Sequence, residues 1–126
     1  MQGQLTKYRG SCHCGAVAFE VQTTLAPALR CNCSLCRRKG AVMAPVAAEH
    51  FRLLKGEDDI VLYQFNTQLA KHYFCKHCGI YTFHRPRVAP DTYRVNVGCL
   101  EGVDVSNLEI KMNDGAAYST VDENTG

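Results

Sequence analysis

Three cysteines lie within the six residues Cys31-Asn32-Cys33-Ser34-Leu35-Cys36, and the cations Arg37, Arg38 and Lys39 follow at once. Cysteines one residue apart are poorly placed for a disulfide, which needs a specific Cα separation and Cβ direction. The same spacing suits convergence on one metal ion, because zinc readily takes thiolates in a tetrahedral shell. Three thiolates leave one corner of the tetrahedron for another ligand, and such an open corner is typical of catalytic zinc.

The fourth position of this predicted site has two interpretations. If it is open, a thiol from outside could bind there and ionise at neutral pH, which would make it a positioned nucleophile. If it is closed, Cys99 or a histidine completes the shell and the site is structural. Cys99 could also be a small buried hydrophobic residue, which is common for a free cysteine.

Two further cysteine pairs, Cys12-x-Cys14 and Cys75-x-x-Cys78, lie far apart in the chain, and each is followed directly by a glycine. Glycine permits the tight backbone turn that must lie behind such a pair. Two pairs make a closed four-sulfur set, which is the usual arrangement of structural zinc. Structural zinc can contribute ~10 kcal/mol or more of apparent binding energy. We therefore predict two zinc ions per chain, one structural and one with an open position.

The composition is that of one globular domain, since the chain has 126 residues with 46% hydrophobic and 21% charged side chains. We expect a core over about 8–111 and a polar tail over 113–126. No apolar run approaches the ~20 residues that span a bilayer, and the N-terminus lacks a secretory signal. We therefore expect a cytoplasmic protein, in which eight cysteines indicate metal binding or catalysis. The alternative is a secreted disulfide scaffold.

The formal net charge of +2 counts every cysteine as neutral. If seven thiolates bind two zinc ions, the thiolates add seven negative charges and the two Zn²⁺ ions add four positive charges. The net charge is then about −1. Nucleic-acid binding usually requires a clustered basic stripe and a much higher pI. The charge therefore argues against a nucleic-acid partner.

Short stretches with alternating hydrophobic residues predict strands separated by turns. The predicted strands cover 16–21, 41–44, 51–54, 60–65, 71–74, 80–84 and 93–97, with a brief turn and an edge strand over 105–110. We expect Pro45 to end the second strand. Ser34 is predicted to cap one helical turn that stops at Gly40. With no long amphipathic helix, the pattern predicts a mainly β, antiparallel, single-domain fold.

Three cysteine-containing segments together resemble a known family. They are Gly10-Ser11-Cys12-His13-Cys14-Gly15-Ala16-Val17, Cys31-Asn32-Cys33-Ser34-Leu35-Cys36-Arg37 and Phe74-Cys75-Lys76-His77-Cys78-Gly79. In this order they resemble the glutathione-dependent formaldehyde-activating enzyme family, which also includes centromere protein V. The likeness extends from about Tyr8 to Ile110.

The resemblance implies a zinc-stabilised antiparallel β fold of the β-tent type. It also implies a structural set of zinc ligands and a second set near which glutathione binds. The structural set is Cys12, Cys14, Cys75 and Cys78, and the second set is Cys31, Cys33 and Cys36. Family members are assigned as carbon–sulfur lyases that make or break S-hydroxymethylglutathione. This chain is shorter than the glutathione-using prototype, so it has less material for a tripeptide pocket.

We therefore expect a zinc-dependent carbon–sulfur lyase that acts on a glutathione-type thiol and a small aldehyde. Arg37, Arg38 and Lys39 are the candidate side chains for the carboxylates of such a thiol. One alternative is a non-enzymatic two-zinc binding module. The other is a thiol redox enzyme that uses Cys99 and resembles the B-type methionine sulfoxide reductases, an analogy at the level of fold alone.

Two histidines, His72 and His84, fall on predicted strands. A histidine near a reactive site can carry protons at neutral pH. A histidine within a strand can equally be a buried side chain whose hydrogen bonds are satisfied. The sequence leaves both interpretations open.

Overall fold

The computed structural model describes residues 4–32, 34–64, 70–86 and 91–113. Cys33, Phe65, residues 87–90 of the predicted loop and the tail from residue 114 lie outside these ranges. The predictions for these residues stay predictions.

The described residues form two β-sheets, one single-turn α-helix and four short 3-10 helices. The smaller sheet has the order β1-β2-β5 and is antiparallel. Its strands are β1 (Thr6–Ser11), β2 (Ala18–Thr23) and β5 (Phe51–Lys55). The larger sheet has the order β10-β3-β4-β9-β8-β7-β6. Its strands are β3 (Ala28–Cys31), β4 (Met43–Ala47), β6 (Ile60–Tyr63), β7 (Lys71–Cys75), β8 (Tyr81–Arg85), β9 (Thr92–Asn96) and β10 (Ile110–Asn113).

This architecture confirms the predicted mainly β, single-domain fold. One pair differs from the antiparallel expectation, because β10 runs parallel to β3 at the edge of the larger sheet. Strands β1 and β3 were not predicted. Most side chains of β1 are exposed and β3 has only four residues, so neither carries a clear alternation of buried and exposed positions. None of the described helices is long and apolar enough to span a membrane.

Two local predictions between β3 and β4 were wrong. Pro45 lies within β4 rather than at its end. The pairing of β4 with β3 has Leu29 opposite Met43, and Pro45 lies two residues beyond that point, where a missing N–H is tolerated. Ser34 does not cap the helix α1 (Cys36–Lys39), which has Leu35 at its N-cap and no side-chain cap hydrogen bond. The helix does end at Gly40, as predicted.

The main core lies between the two sheets and is centred on aromatic rings. Phe51 of β5 stacks on Tyr93 of β9 with centroids 4.2 Å apart, and Phe83 of β8 lies 4.7 Å from Phe51. Phe19 of β2 is fully buried and contacts both phenylalanines. Such ring pairs contribute roughly 0.5–1.5 kcal/mol each beyond their burial. One face of the larger sheet is therefore used for the core, and its other face is available for other residues.

A β-bulge decides which residues reach that other face. Tyr73 pairs with Phe83, but the next residue, Phe74, pairs with Tyr81, so β8 carries one extra residue, Thr82. An extra residue reverses the alternation of side chains along a strand. Tyr81 therefore lies on the same face as His84, three positions later, and its hydroxyl contacts the His84 ring.

Candidate functional site

The four cysteines of the predicted structural set meet at one point. Cys12 and Cys14 lie in the turn between β1 and β2, and Cys75 and Cys78 lie in the turn between β7 and β8. All four sulfur atoms lie within 4.8 Å of one another, and two of their separations are 3.6 and 3.7 Å. A tetrahedral zinc ion with Zn–S bonds of about 2.3 Å requires sulfur atoms about 3.8 Å apart. The cluster could therefore hold a metal ion, and its dimensions fit zinc.

The backbone of each turn points its N–H groups at a sulfur atom. The Val17 N–H donates to Cys12 Sγ and the His77 N–H donates to Cys75 Sγ, each at 3.3 Å. The predicted glycine turns are confirmed, since Gly15 has φ +84° and Gly79 has φ +78°. These hydrogen bonds favour thiolates over thiols, because they stabilise negative charge on sulfur.

The thiols of the cluster have different pKa values. Burial opposes ionisation of Cys78, but backbone hydrogen bonds from Cys14 and Ile80 and the neighbouring thiols lower its pKa to about 6. The Ala16 backbone favours the Cys14 thiolate, but burial and the thiol neighbours outweigh it and raise the pKa of Cys14 to about 11. Four adjacent thiols cannot all ionise unless a cation is present.

The cluster connects one hairpin of each sheet. It joins the β1–β2 hairpin of the smaller sheet to the β7–β8 hairpin of the larger one. His77 strengthens the second turn, since its Nε2 lies 2.8 Å from a carboxylate oxygen of Asp59. A metal ion at this point would hold the two sheets together at one end.

The second cysteine segment lies elsewhere, against the other face of the larger sheet. Cys31 ends β3 and Cys36 begins α1, and both line a narrow cavity of about 10 Å³. Cys33 lies outside the described residues, so the predicted three-cysteine set is tested only in part. Among the described residues, the four-thiol cluster is the one group of three or more close metal-ligating side chains.

Two half-buried cations line the same cavity. They are Lys39 at the end of α1 and Arg94 on β9. Burial lowers the pKa of each, but Cys36 opposes the shift at Lys39, and Cys31, Cys36 and Tyr81 oppose it at Arg94. The Lys39 ammonium also lies 4.5 Å from the centre of the Tyr81 ring. The cavity therefore combines thiols with positive charge, which favours anionic sulfur.

The three cationic side chains that the sequence predicts to bind carboxylates do not lie at the same place. Lys39 lines the cavity, whereas Arg37 and Arg38 are exposed on the helix. Arg38 donates a hydrogen bond of 2.6 Å to the Ser34 carbonyl oxygen. Arg94 was not predicted, although its place in the alternating strand Tyr93–Val97 puts it on the face opposite the core residues.

A hydrogen-bonded group of His72, Tyr81 and His84 lies beside the thiols. The Tyr81 hydroxyl is 3.0 Å from His72 Nδ1 and 2.7 Å from His84 Nδ1. The two imidazoles are buried and stacked, with centroids 5.0 Å apart. Burial lowers the pKa of His72 to about 4, Lys39 adds to the shift, and Cys31 opposes it. Sequence analysis had singled out both histidines but missed Tyr81, because its orientation depends on the bulge.

Cys99 lies nearer to the four-thiol cluster than to the cavity beside Cys31 and Cys36. Its sulfur is 3.8 Å from the Tyr81 carbonyl oxygen, and it is not part of the lining of the cavity beside Cys31 and Cys36. Burial raises its pKa to about 12, and nearby Cys12 and Cys78 raise it as well. A thiol with this pKa is protonated at neutral pH and is a poor nucleophile.

Comparisons with known proteins identify the family of this chain. Residues 7–114 match the family model described as glutathione-dependent formaldehyde-activating enzyme. A crystal structure of a protein from Rhodobacter sphaeroides is similar, with 47% sequence identity and a TM-score of 0.80 over 83% of this chain and 99% of that chain. The chain therefore belongs to the glutathione-dependent formaldehyde-activating enzyme family.

Proposed function

We propose that this protein is a zinc-dependent carbon–sulfur lyase that makes or breaks an adduct between a glutathione-type thiol and a small aldehyde. The observation that carries the proposal is the cavity in which Cys31 and Cys36 face Lys39 and Arg94. Membership of a family described as glutathione-dependent and formaldehyde-activating supports the same substrate class.

The proposed metal content is two zinc ions per chain. The proposed structural ligands are Cys12, Cys14, Cys75 and Cys78, and the proposed ligands of the second ion are Cys31, Cys33 and Cys36. The four-thiol geometry supports the first set. Thiol chemistry and the shared cavity of Cys31 and Cys36 support the second. A zinc ion held there would supply a position at which a substrate thiol ionises.

The side chains around the cavity account for binding of an anionic thiol. Lys39 and Arg94 offer positive charge next to the reacting end, and guanidinium groups bind carboxylates in a bidentate manner. The cavity is narrow, so most of a tripeptide would lie outside it. We assign Arg37 and Arg38, which are exposed on the adjoining helix, to the outer carboxylates of such a ligand.

The test compares metal content and activity in two cysteine variants. Cys36→Ser should lose one of two bound zinc equivalents and lose acceleration of the exchange between formaldehyde, glutathione and their adduct. Metal analysis and exchange NMR measure these two quantities. Cys99→Ser is the matched control and should keep both, because Cys99 lies outside the cavity.

The alternative functions predict different results from the same measurements. A two-zinc binding module would bind both metals without accelerating exchange. A redox enzyme based on Cys99 would lose activity in Cys99→Ser, an outcome that the raised pKa of this thiol disfavours. Either result would contradict the lyase proposal.

A further inference from the structure

The proposed reaction needs a group that handles a proton, and this inference rests on the proposed function. In breakdown of a hydroxymethyl thioether, the C–S bond breaks and its electron pair goes to sulfur. The O–H electron pair becomes the second bond of the carbonyl, and the hydroxyl proton passes to a base. In formation, the thiolate attacks the carbonyl carbon and the same group returns the proton to the alkoxide oxygen.

The cavity that the thiols border is also lined by a histidine and a tyrosine suited to this task. His84 and Tyr81 both line the cavity that Cys31 and Cys36 border. Both side chains are buried, at 1% and 7% exposure, so water has little access to them. A buried histidine beside two thiols is otherwise unused by the proposed chemistry.

We propose that His84 exchanges the hydroxyl proton of the adduct, with Tyr81 and His72 as the residues that position it. His84 is the catalytic residue of this group because it lines the cavity, whereas His72 does not. His72 lies behind Tyr81 and acts through it.

The hydrogen bonds explain how the two positioning residues work. The Tyr81 hydroxyl has one proton, so it can donate to one imidazole and accept from the other. We assign His72 Nδ1 as the acceptor; burial and Lys39 keep this imidazole neutral, so one of its two ring nitrogens can accept a hydrogen bond. Tyr81 oxygen then accepts the proton of His84 Nδ1, which leaves His84 Nε2 as the base. A partner at one ring nitrogen commonly fixes the tautomer of a catalytic histidine in this way.

The fold supports this order of contacts. His72 lies directly opposite His84 in the β7–β8 pair, and His84 lies directly opposite Arg94 in the β8–β9 pair. The bulge at Thr82 adds Tyr81 to the same face. Positive charge from Arg94 and Lys39 would stabilise the alkoxide that develops on the aldehyde oxygen.

The pH dependence of the reaction depends on every ionisable group that faces this pair. Among the residues that the structure describes, these groups are Cys31 on β3, Cys36 and Lys39 on α1, His72 on β7 and Arg94 on β9. A variant must therefore be judged on its pH profile as well as on its rate.

The experiment measures adduct exchange by NMR in the zinc-loaded protein. His84→Gln should slow exchange about 100-fold, and Tyr81→Phe should slow it about tenfold and change the pH profile. Glutathione affinity, measured from the spectrum of cobalt-substituted protein, should stay within about twofold of the wild-type value, because neither change removes a thiol or a cation. The matched controls His50→Gln and Tyr8→Phe carry the same substitutions outside the cavity and should leave exchange unchanged.

Two results would overturn the inference, and only one of them would also overturn the proposed function. If wild-type protein does not accelerate exchange, the proposed function fails and the inference fails with it. If wild-type protein is active and His84→Gln keeps its rate and pH profile, only the inference fails. If His84→Gln does not fold, placing 3-fluorotyrosine at position 81 keeps the hydroxyl, lowers the phenol pKa and should shift the pH profile; an unchanged profile contradicts the inference.

Discussion

The two cysteine regions of this protein use the same side chain in opposite surroundings. In the four-thiol cluster the sulfur atoms lie close to one another and accept hydrogen bonds from backbone N–H groups. At Cys31 and Cys36 the thiols border a cavity shared with two cations and a hydrogen-bonded tyrosine. The first arrangement offers four thiols to one tetrahedral ion, whereas the second places two thiols at a cavity that a ligand could share.

The two regions differ in the secondary structure that holds their cysteines, although the side chain is the same. Both turns of the four-thiol cluster connect neighbouring antiparallel strands, so their geometry is tied to two sheets. Cys31 and Cys36 lie at the end of a four-residue strand and at the start of a one-turn helix. The first region is therefore held by two hairpins, and the second by the junction of a strand and a helix.

The largest effect is expected from breaking the four-thiol cluster. Cys75→Ser replaces a fully buried ligand, and it should destabilise the fold by more than about 5 kcal/mol, because structural zinc contributes about 10 kcal/mol or more. Thermal unfolding with parallel metal analysis measures the loss. Cys99→Ser is the control, since it removes a nearby thiol outside the cluster and should change stability by about 1 kcal/mol or less. Equal destabilisation by the two variants would contradict the structural role.

A smaller effect on stability is expected when low pH protonates the buried His72 side chain. The folded-state pKa of His72 is about 4, below the ordinary value of 6.5, so the unfolded chain binds more protons between these values. The contribution of neutral His72 to the free energy of unfolding is therefore fully present above pH 6.5. About 3 kcal/mol of it is lost as the pH decreases from 6.5 through 4. Urea unfolding from pH 7 to 4 should show a weaker pH dependence in His72→Gln than in wild-type protein. Equal slopes would contradict the assignment.

The smallest effect is expected from the cations of the cavity. Arg94→Gln should weaken binding of a carboxylate-bearing thiol about tenfold, because a charge-assisted hydrogen bond is lost. Titration of cobalt-substituted protein measures this affinity. Arg37→Gln removes an exposed cation and should change affinity by about twofold or less. If Arg37→Gln has the larger effect, the ligand binds on the helix surface and not at the cavity.

Much of the fold could be predicted because strands β2 and β5 to β9 carry alternating or continuous apolar residues between clear turn signals. The four-thiol cluster could be predicted from spacing alone, because each pair is local and each turn ends in a glycine. Tyr81 and Arg94 could not be assigned to the cavity in this way, since their positions depend on strand pairing between distant parts of the chain. Cys33 lies outside the described residues, so its predicted role stays a prediction.

The bulge at Thr82 makes the pairing of one hairpin a constraint in its own right. The β7–β8 hairpin carries the clustered cysteines at its tip and the imidazoles farther along its strands, with one extra residue between them. If Thr82 paired regularly with Phe74, every side chain named here would be preserved, yet Tyr81 would turn toward the hydrophobic interior. Related sequences that keep tyrosine and histidine three positions apart on this strand should therefore also keep a bulge between them.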